Sequence, residues 1–360
     1  MQKQFVEDAV FELGKGGFSS VFCHRRGGED PNELVAVKKY IRKTAYDRAD
    51  RILQEKSVML RLSSEAYCDN KLSPYLVKLI DTSKDEVAIH FIMEPILGGP
   101  LHKHLLQSST SSFHISVAKV YIAEIISALL FMTKYGVVHR DIKASNILIH
   151  SNGHLKICDF GSAKILYDRE EYATILENGC LFAPKTYTYI GSTPYMAPEI
   201  VACKQPHNKG GCDVVGYNCM VDWWSLGILA FEMIYGIIPS DTDHVVNTHD
   251  SDSFLDKLLE HTKATCISDL DNKSDEFHCF HFIRKCLLYE VSHRIGPFTL
   301  ISLLNHPFFS NITWDDVDNG LSRGNLDFDR RIGYLDFANV SASDNDGNIS
   351  KDEQSLFDGF

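Results

Sequence analysis

Val138-His139-Arg140-Asp141-Ile142-Lys143-Ala144-Ser145-Asn146-Ile147-Leu148-Ile149, followed by Cys158-Asp159-Phe160-Gly161, is the stretch whose reading decides this chain. Apolar runs flank a concentrated set of polar side chains, and four of those match one chemistry. Asp141 can accept a hydroxyl proton and orient a nucleophile, and Lys143 can neutralise charge on a phosphoryl group in transfer. Asn146 and Asp159 supply the oxygen ligands that hard Mg²⁺ requires. The bland alternative is two unrelated charge-rich turns, which the order of the upstream residues argues against.

Upstream, Gly14-Lys15-Gly16-Gly17-Phe18-Ser19-Ser20-Val21 lies between two strand-like runs. Glycines there let backbone N–H groups approach phosphate oxygens closely. Alone such a string is also an ordinary glycine turn. Val35-Ala36-Val37-Lys38 then places a lysine inside an apolar strand, which is costly unless it meets an anion or reaches solvent at an edge. Strands are predicted over Val10–Leu13, Val21–Cys23, Leu34–Tyr40 and Val87–Met93, with an amphipathic helix over Ala45–Leu62 that carries Glu55. After the break at Leu97-Gly98-Gly99-Pro100 the pattern turns helical, over Val117–Tyr135, Asp222–Tyr235, Phe254–Glu260 and Phe277–Tyr289. The expected class is α+β. A small β-rich lobe (residues 1–96) precedes a larger α-rich lobe (97–310), and an acidic, loop-like tail (311–360) follows.

The 360 residues carry 36 Lys and Arg against 48 Asp and Glu, a net charge of -12. No overall basic field exists to attract nucleic acid. The ten cysteines form no CxxC pair, and no secretory apolar segment opens the chain, a pattern that fits reduced thiols and a cytoplasmic setting. Val120–Met132, the most apolar run, is interrupted by Glu124 and Ser127 and reads as a buried helix, not a transmembrane segment.

Glycine loop, strand lysine, HRDxKxxN and DFG fall in the order of the protein-kinase signature, and the chain resembles that family over about residues 5–310. The resemblance implies a bilobal kinase fold, the cofactors ATP and Mg²⁺, and protein substrates phosphorylated on serine or threonine, since Lys143 two residues after Asp141 resembles serine/threonine kinases. It implies an ATP site formed by Leu13, Gly14, Lys15, Gly16, Gly17, Phe18, Ser19, Val21, Ala36, Lys38 and Leu148. Met93 stands at the gatekeeper position, and Glu94 and Ile96 as hinge residues meet adenine through their backbones. Lys38 pairs with Glu55, Asp141 and Lys143 act at the transferred group, and Asn146 and Asp159 hold metal. Glu199 of Ala197-Pro198-Glu199 meets Arg294, and Asp222 braces the catalytic loop.

Asp222-Trp223-Trp224-Ser225-Leu226-Gly227 and His306-Pro307-Phe308-Phe309 resemble the AGC group. Ser19 and Asp159-Phe160-Gly161-Ser162-Ala163-Lys164 resemble 3-phosphoinositide-dependent protein kinases within it. Pro74-Tyr75-Leu76-Val77-Lys78-Leu79 favours cyclic-nucleotide-dependent kinases instead. By the same resemblance Thr188 is an activation-segment phosphorylation site, its phosphate held by Arg140, Lys164 and Arg51, and Phe357 and Phe360 dock in cis on the small lobe.

The pattern departs in places. Ala144-Ser145 replaces Pro-Glu, and Pro100 stands where relatives that prefer basic substrates carry glutamate, which leaves Glu232 as one acidic contact for a substrate arginine. The span from Asp159 to Ala197 is long for the group. Cys203, His207, Cys212 and Cys219 form a set of potential zinc ligands or a plain surface loop. Residues 342–353 carry EF-hand-like oxygen positions with Ala342 in place of the first ligand, and read either as a Ca²⁺ loop or as an acidic tail. Oligomeric state has no signature in the sequence.

Overall fold

A computed structural model describes residues 9–16, 19–26, 33–41, 48–64, 71–108, 110–204, 216–238, 271 and 273–321. Gly17, Phe18, His207, Cys212, the helix expected over Phe254–Glu260, the EF-hand-like stretch, Phe357 and Phe360 lie outside the described residues.

The N-terminal lobe is an antiparallel five-stranded sheet: β1 (Ala9–Lys15), β2 (Ser20–Arg25), β3 (Leu34–Ile41), β4 (Leu79–Lys84) and β5 (Ala88–Met93), in the order β1-β2-β3-β5-β4. In β3 the side chains alternate between faces, so Lys38 and Tyr40 share the buried side while Lys39 stays partly exposed. Helix α1 (Ala49–Ser63) packs on that side through Ile52, Glu55, Val58, Met59 and Leu62, the helical spacing read from sequence. Strand β4 escaped the sequence reading because it is an edge strand of which only Leu79 is fully buried.

The C-terminal lobe is helical. Its described elements are α2 (Leu101–Gln107), α3 (Ile115–Lys134), α4 (Tyr172–Asn178), α5 (Pro198–Ala202), α6 (Met220–Tyr235), α7 (Asp275–Cys286), α8 (Leu300–Leu304) and α9 (Trp314–Asp318). Helix α3 is long and apolar enough to cross a membrane, yet most of it is buried in the lobe. Helix α6 is predominantly apolar, with Asp222, Ser225 and Glu232 as its polar exceptions, and is enclosed from Met220 to Met233, as so apolar a helix must be in a folded domain. Short ribbons β6 (Val137–Val138), β7 (Ile147–Ile149), β8 (Leu155–Ile157) and β9 (Lys164–Ile165) lie above these helices; β7 pairs with β8, and β6 with β9.

Two stretches differ from expectation. The long interval after Asp159 holds helix α4, reached through a 3₁₀ turn (Arg169–Glu171) whose start is closed by a capping box between Asp168 and Glu171. The acidic stretch from Asn311 opens with helix α9 instead of a loop. Val317 is fully buried, its carbonyl accepts from Tyr75 Oη at 2.6 Å, and Trp314 donates to the Leu304 carbonyl at 3.0 Å.

The lobes meet at the break after Ile96. A Cβ on Gly98 would fall 2.2 Å from the Ile149 carbonyl oxygen, so only glycine lets the connector lie flat on β7. Ile149 N–H then donates to Gly99 O at 2.9 Å, and Pro100 bridges Leu148.

Candidate active site

The catalytic loop hangs from helix α6. Asp222 Oδ2 accepts from His139 N–H and Oδ1 from Arg140 N–H, both at 2.7 Å. Burial pushes the Asp222 carboxyl above its ordinary value, while His139 and the two N–H donors oppose that rise. Arg140 is left with a positive φ of 66°, a sharp turn of the chain just before Asp141. Asp141 Oδ2 accepts from Lys143 Nζ at 2.7 Å and from Asn146 Nδ2 at 3.1 Å. Its other oxygen, Oδ1, is buried and has no hydrogen-bond partner among the described residues. A buried carboxylate oxygen without a donor is expensive, so this atom keeps acceptor capacity that a donor entering the site could use. Lys143 also donates to Ser192 Oγ at 2.7 Å, which ties the activation segment to the loop.

On the opposite wall, Lys38 Nζ donates to Glu55 Oε1 and to Asp159 Oδ1, both at 2.8 Å. Burial alone would push the Lys38 ammonium down; the carboxylates of Glu55 and Asp159 outweigh it and hold the group well above the usual lysine range. The Lys38 ammonium in turn keeps the Asp159 carboxyl at about 2, against the effect of burial. Asp159 has a left-handed backbone (φ 62°), and its side chain is 48% exposed, which leaves a carboxylate that could also meet a cation. Cys158, just before it, is pushed up to about 12 by burial and takes no part as a thiolate.

The residues expected around the base come together. Ala36, Met93 and Ile96 are buried in the main core, and Leu13, Val21 and Leu148 pack half-buried against the same core. Gly14 and Lys15 face Val21 and Ser20 across the β1–β2 pair, and Gly16 N–H closes the turn on Ser19 O at 2.8 Å. A Cβ on Gly14 would meet nothing within 4 Å among the described residues, so the backbone there is open to a close-approaching group. Glu94 side-chain oxygens are held by Lys156 Nζ at 2.8 and 3.0 Å and by Lys78 N–H at 2.7 Å, leaving only its backbone to face a ligand. The fit with a magnesium-bound nucleoside triphosphate is good on three counts: an orphaned carboxylate oxygen, a half-open second carboxylate, and a glycine loop open to a close-approaching group. Bound MgATP would supply an electrophilic γ-phosphoryl group and divalent charge beside it.

Arg294 donates to Glu199 through both terminal nitrogens, at 2.6 and 3.1 Å, and lies over the Trp224 ring. Two of the groups expected around a Thr188 phosphate, Lys164 and Arg140, have the following partners. Thr188 is exposed and its carbonyl accepts from Tyr217 Oη, whereas Lys164 reaches Thr186 Oγ1 at 3.0 Å. Arg140 spends its guanidinium on Ser162 O at 2.6 Å and, at 3.4 Å, on Ala163 O and Tyr217 Oη. Of the zinc set, Cys203 Sγ donates to Glu199 O and Cys219 is buried; no group of three or more metal-ligating side chains occurs among the described residues.

Several residues at the site carry no sequence motif. Tyr40 Oη donates to Glu55 Oε2 at 2.5 Å. Gln54 Nε2 donates to Ala163 O at 2.6 Å, and Arg61 donates to Tyr167 O at 3.1 Å and pairs with Asp168 at 2.8 Å. Tyr195 Oη donates to Glu232 Oε2 at 2.6 Å. The one signal available beforehand was the strand period of two, which puts Tyr40 on the face of Lys38.

A carboxylate with spare acceptor capacity, a lysine braced between two carboxylates and a glycine turn, all between a sheet lobe and a helical lobe, define a phosphotransferase that works on hydroxyl groups. The protein-kinase-domain family model matches residues 8–309, and the chain belongs to that family. It is 30% identical over 306 residues to a putative ribosomal protein S6 kinase alpha-2 of Caenorhabditis elegans, covering 84% of this chain and 35% of that protein. It is 29% identical over 312 residues to a cAMP-dependent protein kinase, catalytic subunit-like, of Caenorhabditis briggsae, covering 86% of this chain and 68% of the relative. To serine/threonine-protein kinase Sgk1 of Rattus norvegicus it is 30% identical over 310 residues, covering 85% of this chain and 61% of the relative. The chain thus spans about a third of the S6 kinase relative and about two thirds of the others.

Proposed function

We propose that this chain is an AGC-type kinase in which Asp141 orients and deprotonates a substrate serine or threonine hydroxyl. The observation that carries the reading is the buried Asp141 Oδ1, without a partner among the described residues, beside an Oδ2 already held by Lys143 and Asn146. One oxygen is fixed and the other is free for the incoming O–H, the geometry required of a general base. Lys143 stays within reach of the transferred group, Asn146 and Asp159 hold Mg²⁺, Lys38 meets the phosphates, and the backbones of Glu94 and Ile96 take the adenine.

Acidic recognition of the substrate rests on Glu232, which burial pushes toward the neutral form and which Tyr195 already engages. Substrates are therefore proteins whose acceptor does not depend on preceding arginines. Exposure of Thr188 supports its phosphorylation, with Tyr217 as the link from that segment to Arg140. The described cysteines are all free thiols, in keeping with a cytoplasmic enzyme.

A peptide array with labelled ATP and magnesium, followed by phosphoamino-acid analysis, tests the reading. Phosphoserine or phosphothreonine on peptides with and without upstream arginine is the expected result. Phosphotyrosine alone, or labelling that persists with Asp141→Asn, would overturn it.

A further inference from the structure

Among the described residues Tyr40 is the side chain that completes the Lys38–Glu55 pair, and no motif calls for it. Glu55 is 2% exposed, so water cannot satisfy its carboxylate. Two carboxylates, Glu55 and Asp159, share the single Lys38 ammonium. Asp159 is half-open and can meet solvent or a cation, whereas Glu55 is sealed. The burden of stabilising the surplus negative charge therefore falls on Glu55 Oε2, which must find a donor or become a costly buried orphan.

Tyr40 supplies that donor. Its hydroxyl reaches Oε2 at 2.5 Å, in the range of charge-assisted O–H···O⁻ bonds. Its ring is fixed edge-on against Phe91 at 5.8 Å between centroids, and the Lys38 ammonium lies 5.3 Å from the ring centre. The same carboxylate oxygen borders the metal-binding turn, because a Cβ on Gly161 would come within 3.4 Å of it. Burial raises the phenol well above its ordinary value, so it remains a donor throughout the working range. A chain of contacts thus runs from Tyr40 through Glu55 and Lys38 to Asp159, joining β3, α1 and the catalytic turn.

We propose that Tyr40 is a positioning residue for phosphotransfer, its hydroxyl fixing the rotamer of Glu55 and thereby the placement of Lys38 on the triphosphate. It touches neither substrate nor metal. The inference rests on the phosphotransfer activity itself, which the unsubstituted enzyme tests separately on the same peptide.

Tyr40→Phe keeps the ring against Phe91 and over Lys38 and deletes only the hydroxyl. With peptide fixed and ATP varied, kcat should fall about tenfold, the scale of one lost charge-assisted hydrogen bond. The control is Glu55→Met, which leaves the hydroxyl nothing to hold. In that background, adding Tyr40→Phe should change kcat by less than about twofold, because the two positions act as one unit. A merely structural tyrosine would give the same loss in both backgrounds. If Tyr40→Phe does not fold, Tyr40→Met fills the space without a hydroxyl and takes its place. The proposal is overturned if the single variant keeps kcat within about twofold of the unsubstituted enzyme, or if the tenfold loss recurs undiminished beside Glu55→Met.

Discussion

The two walls of the site are built on different principles. The C-terminal wall, from His139 to Asn146, hangs by its main chain, since Asp222 grips two consecutive N–H donors in front of the buried helix α6, and only Asp141 at its tip is held by neighbouring side chains. On the N-terminal wall, Lys38, Glu55, Tyr40 and Asp159 are held by one another's side chains. The first arrangement is set as soon as the core packs. The second depends on every member being present, since removing one leaves a buried partner uncompensated. The wall that orients the nucleophile is therefore rigid, and the wall that grips the phosphates is assembled.

The sharpest way to isolate the rigid wall is Asp141→Asn. It should lower kcat by roughly 10²–10⁴-fold, the usual worth of general acid–base catalysis, while magnesium-dependent ATP binding measured by calorimetry stays within about threefold. Equal losses of turnover and nucleotide affinity would mean that the two walls are not separable.

Asp222→Asn attacks the same wall from behind. The new amide turns an N–H toward backbone donors that need acceptors, and a cost of about 1–3 kcal/mol is expected from denaturant unfolding, with turnover reduced as well. An unchanged denaturation midpoint would show that the loop holds its shape without this brace.

Lys38→Met breaks the assembled wall and has a signature in pH. Asp159 has a folded-state value of about 2, below the ordinary carboxylate value. Its contribution to stability is therefore present above pH ~4 and lost as pH falls from about 4 toward 2. The melting temperature of the parent should decline through that window, and Lys38→Met should flatten this part of the decline by removing the cation that depresses Asp159. Parallel acid limbs for the two proteins would contradict the pairing.

The smallest effect belongs to the hinge. Lys156 and Glu94 form a partly exposed pair with side-chain exposures of 14% and 24%. Lys156→Met should raise the KM for ATP by no more than about threefold, since such pairs contribute about 0–1 kcal/mol. A larger change would place the hinge side chains among the determinants of nucleotide affinity.

The same contrast explains what the sequence allowed to be read. Lys38, Asp141, Asn146 and Asp159 were legible because each belongs to a short motif whose chemistry fixes the residue type, and Glu55 because the family resemblance placed it by position on a predicted helix. Helices α1, α3 and α6 were legible because their apolar spacing is long and regular. The contacts that tie one motif to the next were not. Arg61 and Asp168 are 107 positions apart, and Lys156 and Glu94 62 apart, so no local pattern announces either pair. Helix α9 was missed because its acidic sequence hides a single buried anchor, Val317. Tyr40 fell between these cases: its strand period placed it on the right face, but nothing in that period names a partner.

Arg140 and Asp159 both hold left-handed backbones, at φ 66° and 62°, an uncomfortable conformation for residues that are not glycine. Each is kept there by a partner from elsewhere in the chain, Asp222 for the first and Lys38 for the second. Warming that loosens either grip lets the local backbone relax downhill, long before the helical lobe has reason to come apart. Heat inactivation should therefore run ahead of melting: the enzyme stops working while most of its structure is still standing.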